Sequence, residues 1–465
     1  MNPQSSLASP CIALITNHPV GEQMAGPGIR YWEFARVLGR QFRVKLIVPP
    51  FVAADSLSQA EDLPAPLHVC TRSQDLREVV EDCDIIVTLG GVLFFYPFLS
   101  DMGKFVVSDM YNVSLLEDLQ RQADADMSRQ LTSHESLLSA LRLQLRVSDF
   151  FICAGEKQRD YWLGALSALG RVNPYASQLD PTLRHLIDVV PFGLPDKPPQ
   201  HTRRVLKGVH RAISSDDRVI LWGGGIWNWF DAPTLIKAMP LILAERPDVK
   251  LFFMGTKPPH RNLVDMKATD QAVALSKELG LYEGHVLFND WVPYNERQNY
   301  LLEADIGVSL HQYHAETRFS FRTRLLDYLW AALPIVSTRG DVLGESLAAK
   351  GLAYLVAPGD VNGVAQAILA LLNKPTLRAD YVARARQVAS DYSWESVTRP
   401  LVKFCAAPYV APDKDYRRAM AFSIEERTPW WQLPAKGWRA LKLGGLSGLL
   451  QQSGEYLRWK IKAGR

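Results

Sequence analysis

Short apolar runs separated by longer segments of helical period recur along the whole chain. In the first half they fall at 12–16, 44–48, 85–89, 105–108, 150–154 and 189–192, and in the second half at 219–222, 249–254, 286–288, 306–310, 335–337 and 354–356. Runs this short and this rich in Val, Ile and Phe read as parallel strands buried on both faces. A strand-then-helix rhythm carried through both halves predicts two facing, Rossmann-like, doubly wound parallel-sheet α/β domains. A Pro-rich polar stretch at 193–204 separates the two sets and reads as a linker. The expected organisation is a first domain over 1–195, a second over 205–390, a helix over 391–410 that closes the core, and an extension over 411–465. In such sheets ligands lie beyond the carboxyl ends of the strands, so two facing domains set a site in the cleft between them.

Composition narrows the function classes. A chain of 465 residues exceeds what one hydrophobic core usually holds. The net charge of +3 is close to balanced and no nucleic-acid reading motif is present, so no nucleic-acid partner is expected. Five scattered cysteines, none in C-x-x-C spacing, point to reduced thiols and a cytoplasmic location. The polar start of the chain lacks the basic and apolar regions of a signal peptide, and no apolar run approaches a bilayer-spanning length. The histidines show no H-E-x-x-H spacing, and no metal is implied.

The residues that carry chemistry cluster in three places. In 316–338, the run 324–332 reads as a helix, Pro334 stops it, and the β-branched residues that follow form a strand. Arg318, Arg322 and Arg324 gather at that helix start with Glu316 and Asp327 beside them, a setting that suits a phosphate. Arginines and carboxylates this close also pair with each other on a solvated face, and that reading stays open. At the end of the strand 219–222 stand Gly223, Gly224 and Gly225, three consecutive glycines whose entropic cost is explained by close approach of a ligand. Asp231 then caps a helix with Pro233 in its first turn. Near the start of the chain, Gly26 and Gly28 flank Pro27 ahead of Arg30 and a helix at 31–38. This is a stiff turn that either meets a ligand or merely joins strand to helix. Its spacing is not G-x-G-x-x-G, which disfavours a nicotinamide site.

These segments resemble the family-4 retaining glycosyltransferases of the GT-B fold over roughly residues 10–405, most closely at 219–360. The resemblance implies retaining transfer of a sugar from a nucleoside-diphosphate-sugar to a saccharide or lipid-linked saccharide acceptor, in cell-surface polysaccharide or glycolipid synthesis. The nucleotide-sugar is a substrate, and no separate cofactor is expected. It implies that Glu316 is the carboxylate near the donor sugar and that Asp327 accepts hydrogen bonds from the ribose. It places the loop of Gly26, Gly28 and Arg30 toward acceptor and phosphate, and sets Asp109 where family members carry a functional His, there to orient the acceptor hydroxyl. Trp291, after the strand 286–288, falls where the nucleobase is held; packing is the alternative role. The segment 393–404 resembles the late helix that crosses back onto the first domain. Two departures stand out. Gly225 and Phe230 occupy the places of the family's diphosphate-binding Arg and Lys, so Arg322 or Arg324, with Lys257, is expected to substitute. Glu316 falls three residues early and serves only if its loop bulges. Two rival readings remain: a catalytically degenerate transferase-like binding or scaffold protein, and a Rossmann-type oxidoreductase.

Beyond the core fold, residues 428–465 carry seven Lys or Arg against Glu455 alone, a net charge of +6, together with Trp430, Trp431, Trp438, Trp459 and Tyr456. Basic charge with aromatic anchors suits an anionic membrane surface, the inner face of the plasma membrane, whereas packing on the protein's own surface is the alternative. Deleting 428–465 is expected to abolish salt-sensitive sedimentation with anionic liposomes while nucleotide-sugar binding persists. Full-length protein that ignores such liposomes at low salt would rule out membrane docking.

Overall fold

The computed structural model describes residues 9–21, 24–52, 65–256 and 267–416. Lys257 and the basic aromatic segment 428–465 lie outside the described residues. Among the described residues thirteen strands form two parallel sheets. The first contains β1 (Cys11–Ile15), β2 (Arg43–Val48), β3 (Leu67–Val69), β4 (Ile85–Leu89), β5 (Phe105–Asp109), β6 (Phe150–Cys153) and β7 (Ile187–Val189), in the order β3-β2-β1-β4-β5-β6-β7. The second contains β8 (Arg218–Trp222), β9 (Val249–Phe253), β10 (Val286–Phe288), β11 (Ile306–Ser309), β12 (Ile335–Thr338) and β13 (Tyr354–Val356), in the order β10-β9-β8-β11-β12-β13. Each order reverses beside its first strand, so the loops leaving β1 and β8 open at a topological switch point, where such sheets bind ligands.

The sequence pattern accounts for most of this. Every residue of β1 and of β4 is buried, as expected for strands covered by helices on both faces. Asp231 caps the helix Ala232–Glu245 by accepting from the Thr234 N–H, as its sequence suggests. β3 escapes the apolar count because it is a three-residue, half-exposed edge strand containing His68. The helix expected at 31–38 begins earlier, at Gly26, with Pro27 in the first turn where its missing N–H costs nothing.

After the second sheet the chain returns to the first. Trp394, fully buried at the start of the helix Trp394–Val397, packs against Phe192 and Phe34 with ring centroids 4.7 and 6.0 Å away. A Cβ at Gly193 would lie 2.6 Å from the Trp394 ring, so only glycine admits this contact. Phe404, on the helix Arg399–Ala406, stacks on Phe150 at 4.9 Å. These contacts fasten the end of the described chain to the first domain.

One buried ion pair redirects two expectations. Arg30 and Asp109 have fully buried side chains, and the guanidinium meets the carboxylate through Nε at 2.7 Å and Nη2 at 3.1 Å. Arg30 also donates to the carbonyls of Val190 and Pro191, each at 2.8 Å. The strand expected at 189–192 is instead Ile187–Val189; the Val190 N–H still bonds the Cys153 carbonyl at 2.7 Å, and Pro191, which has no N–H, ends the ladder there. Arg30 and Asp109 are therefore internal fasteners, with no surface left for a phosphate or an acceptor hydroxyl. Gly28 is internal too, since a Cβ there would sit 2.4 Å from the Pro19 carbonyl oxygen.

Removing one partner of such a pair strands a buried charge. Asp109→Asn is expected to destabilise the protein by about 3–5 kcal/mol, read as a lower urea midpoint. A midpoint within error of wild type would contradict the fastening role.

Candidate functional site

The loop leaving β8 is shaped by one tyrosine. Tyr328 lies on the helix Arg324–Trp330, fully buried beneath the second sheet. Its hydroxyl accepts from the Gly223 N–H at 2.7 Å, and its proton is shared between the carbonyls of Val308 and Leu221 at 2.9 and 3.1 Å. Burial pushes its ionisation up to about 12, so it remains a neutral donor. Its ring leaves no room for a side chain at Gly307, where a Cβ would come within 2.5 Å, and little at Gly223, at 3.2 Å. Gly224 has φ of +79°, a left-handed backbone that favours glycine, and nothing lies within 4 Å of where its Cβ would point. At Gly225 a Cβ would press on the Trp227 ring at 3.1 Å. The glycine triplet thus has three separate causes, and Gly224 alone faces open space.

The arginines divide by role. Arg318 is exposed and turned over Phe319. Arg322 is buried and grips Glu316 in a two-pronged bond, Nη1 to Oε1 at 3.0 Å and Nη2 to Oε2 at 2.6 Å. Glu316 occupies the short 3₁₀ turn Glu316–Arg318 and is only 2% exposed, with His314 Nδ1 at 3.6 Å. The pairing of carboxylate and arginine is therefore real, and it is buried instead of lying on a solvated face. Arg324 is different. Its Nη2 donates to the Gly225 carbonyl at 2.8 Å, and its guanidinium lies over the rings of Phe230 and Trp222, 3.9 and 4.7 Å from their centroids. Its Nη1 has no partner among the described residues. Burial lowers the Arg324 pKa to about 10, which leaves the group charged at neutral pH. The helix that carries it ends two residues before the expected Ala332. Ala332 adopts a left-handed φ of 49°, and the Leu333 N–H closes the turn on the Tyr328 carbonyl at 2.8 Å.

These groups line one wall of a cavity of about 410 Å³ between the two sheets. Gly223, Gly224, Gly225, Trp291, Glu316, Arg322, Arg324 and Asp327 all belong to the lining, as does Gly26 from the first domain. Trp227 and Trp229 stack at 5.8 Å along the same wall. Trp291 packs edge-on over Gly255, where a Cβ would come within 2.7 Å of its ring, so packing and cavity lining are both true of it. Asp327 is 38% exposed and meets Arg297 Nε at 3.2 Å. Sequence reasoning missed the opposite wall, built from the loop after β5 and the helix Ser114–Arg121: Tyr111, Asn112, Glu117, Asp118 and Arg121. A usable signal existed in the position of this segment directly after a strand's carboxyl end. A second cavity of about 460 Å³ includes Arg218, Asp305 and Ile335 at the amino-terminal ends of β8, β11 and β12, away from the strand ends that bind ligands in such folds.

Residues 217–374 match the family model of the group 1 glycosyl transferases. A phosphatidyl-myo-inositol mannosyltransferase of Mycolicibacterium smegmatis is 25% identical over 169 residues, which is 36% of this chain and 39% of that protein. The chain thus spans about two fifths of the length of this curated relative. Among solved structures, the sucrose-phosphate synthase of Thermosynechococcus elongatus superimposes with a TM-score of 0.61 at 15% identity, covering 89% of this chain and 99% of that one. HepE of Anabaena, solved in complex with UDP and glucose, superimposes at 0.60 with 13% identity, covering 86% and 100%. At these identities the structural likeness is one of fold, and the fold is GT-B. The sequence match adds support for a glycosyltransferase.

The Tyr328 hydroxyl supports the glycine loop from beneath without belonging to the cavity lining. Tyr328→Phe leaves the Gly223 N–H and two buried carbonyls short of a partner, and is expected to cost about 1–3 kcal/mol of stability. A thermal scan showing no loss would remove Tyr328 from this role.

Proposed function

We propose that the chain transfers a sugar, with retention at the anomeric carbon, from a nucleoside-diphosphate-sugar to a saccharide or lipid-linked saccharide acceptor. The observation that carries this reading is Arg324, a buried guanidinium beside Gly224 and Gly225 with one N–H set unpartnered. A departing diphosphate concentrates negative charge on its oxygens, and fixed donors in a water-poor cleft stabilise that charge. Arg324 supplies the cation, and the open side of Gly224 supplies the approach. Arg322 is held by Glu316 and serves as a brace for this wall. Glu316, so braced, keeps a carboxylate at the edge of the space for the donor sugar.

Further features fit the same substrate. Asp327, one helical turn beyond Arg324 and partly exposed to the cavity, suits a ribose hydroxyl. The stacked Trp227 and Trp229 offer an apolar face to a sugar or base. UDP and glucose in the HepE complex make UDP-glucose a reasonable first donor to try.

Arg324→Ala is expected to weaken UDP binding and to cost about 2–4 kcal/mol of transition-state stabilisation, seen as a 30- to 1000-fold loss in kcat/KM for donor turnover. Arg324→Lys should recover only part of it, because one ammonium cannot both hold the Gly225 carbonyl and meet the diphosphate. Unchanged UDP affinity in Arg324→Ala would defeat the donor-site reading.

A further inference from the structure

Glu117 belongs to the first domain and faces the second. It sits on the helix Ser114–Arg121 and lines the cavity on the wall across from Glu316 and Arg322. Among the described residues four carboxylates line this cavity, and three of them are matched with arginines: Glu316 with Arg322, Asp327 with Arg297, and Asp118 with Arg121. Glu117 is the fourth. Its hydrogen-bond partner among the described residues is Asn112, whose Nδ2 donates to Oε2 at 3.2 Å. Its other oxygen has no such bond, in a space where every other acid is neutralised.

The electrostatic setting follows from that arrangement. Burial raises the Glu117 pKa to about 7, and Glu316 adds repulsion, whereas Arg322, Arg121 and the Asn112 bond act in the opposite sense. Tyr111, beside it in the lining, is kept protonated by burial. His18 and the Asp118–Arg121 pair complete the titratable and charged groups on this side. A carboxyl so placed is suited to a neutral hydrogen-bond donor, since a cation would be repelled by Arg322 and Arg121. A hydroxyl group meets that requirement, and the acceptor of glycosyl transfer presents one.

We propose that Glu117 positions the acceptor, its carboxylate receiving the hydrogen bond of the hydroxyl that attacks the donor sugar. This rests on the donor-site reading above. In the step itself the acceptor oxygen bonds to the anomeric carbon. The bond from that carbon to the β-phosphate oxygen breaks, with its electron pair leaving on the diphosphate. The single hydroxyl proton is shared between the Glu117 carboxylate and the departing phosphate oxygen as the acceptor docks, and it passes to the phosphate oxygen as the new bond forms. Glu117 orients the hydroxyl and ends unchanged, so the ionised form is the active one and the rate rises as pH climbs through its ionisation.

The test uses the full chain with UDP-glucose and GDP-mannose as donor probes, water and glycerol as hydroxyl acceptors, and release of nucleoside diphosphate as the readout. Glu117→Gln should bind UDP or GDP with wild-type affinity, which also certifies its fold, while release falls about 10- to 100-fold. It should also lack the rise in rate near pH 7 that is expected of wild type. Because His18 shares the cavity, the assignment depends on the loss of that step in the variant. Glu117→Asp should restore part of the rate together with the step. If Glu117→Gln keeps the wild-type rate and pH profile, the positioning role is wrong and the donor site stands. If wild type binds neither nucleotide nor donor, the donor-site reading fails and this inference fails with it.

Discussion

The site depends on one buried hydroxyl. Tyr328 ties the end of β8, through Gly223 and Leu221, to β11, through Val308, at the switch point of the second sheet. Because the tyrosine is fixed there, the helix Arg324–Trp330 has a fixed rotation and height beneath the sheet. Arg324, four residues earlier and so one turn up the same face, is thereby delivered to the Gly225 carbonyl. Asp327, the residue just before Tyr328, is turned to another side and reaches the cavity next to Arg297. A glycine at 307 is part of the same constraint, since any side chain would displace the ring.

Charge in the cleft is arranged by pairing, and the exceptions carry the information. A buried guanidinium matched by a carboxylate, as in Arg322 with Glu316, is electrically quiet and stiffens the wall. The deeper pair, Arg30 with Asp109, stiffens the first domain in the same way. Arg324 instead rests on aromatic faces and one carbonyl, which moderate its burial without cancelling its charge. Glu117, across the cavity, is an acid without an arginine partner. Among the described residues that line the cavity, one cation on the second domain and one acid on the first are left without an ion-pair partner, and they face each other across the cleft.

Periodicity made the fold legible, because buried parallel strands write their burial directly into short Val- and Ile-rich runs. It failed at β3, whose three residues are half-exposed at a sheet edge and therefore need no apolar signature. It also placed β7 two residues late, since the strand starts at Ile187 and its ladder stops at Pro191, which has no N–H to give. The cavity was legible on the wall where glycines and arginines crowd one segment. Arg30 and Asp109 were assigned to ligands by the resemblance, and their pairing, between positions 79 residues apart, is invisible without the fold. Glu117 gave no motif at all. Its isolation among paired acids exists only in three dimensions.

The departure from the family's pattern finds a physical account in the same geometry. Where the resemblance expects an Arg and a Lys, the chain has Gly225 and Phe230. In the structure the guanidinium of Arg324 bonds the carbonyl of the first and lies 3.9 Å above the ring of the second. A cation reaches these two positions from a helix nearly one hundred residues later in the chain. The replacements are also mutually dependent. A side chain at Gly225 would press on Trp227, and a lysine in place of Phe230 would set a second charge against Arg324 and remove the aromatic face that holds it. The absent pair therefore does not by itself argue for a degenerate protein. Arg324 sets a cation against both positions, and the rings of Phe230 and Trp222 beneath it hold it there.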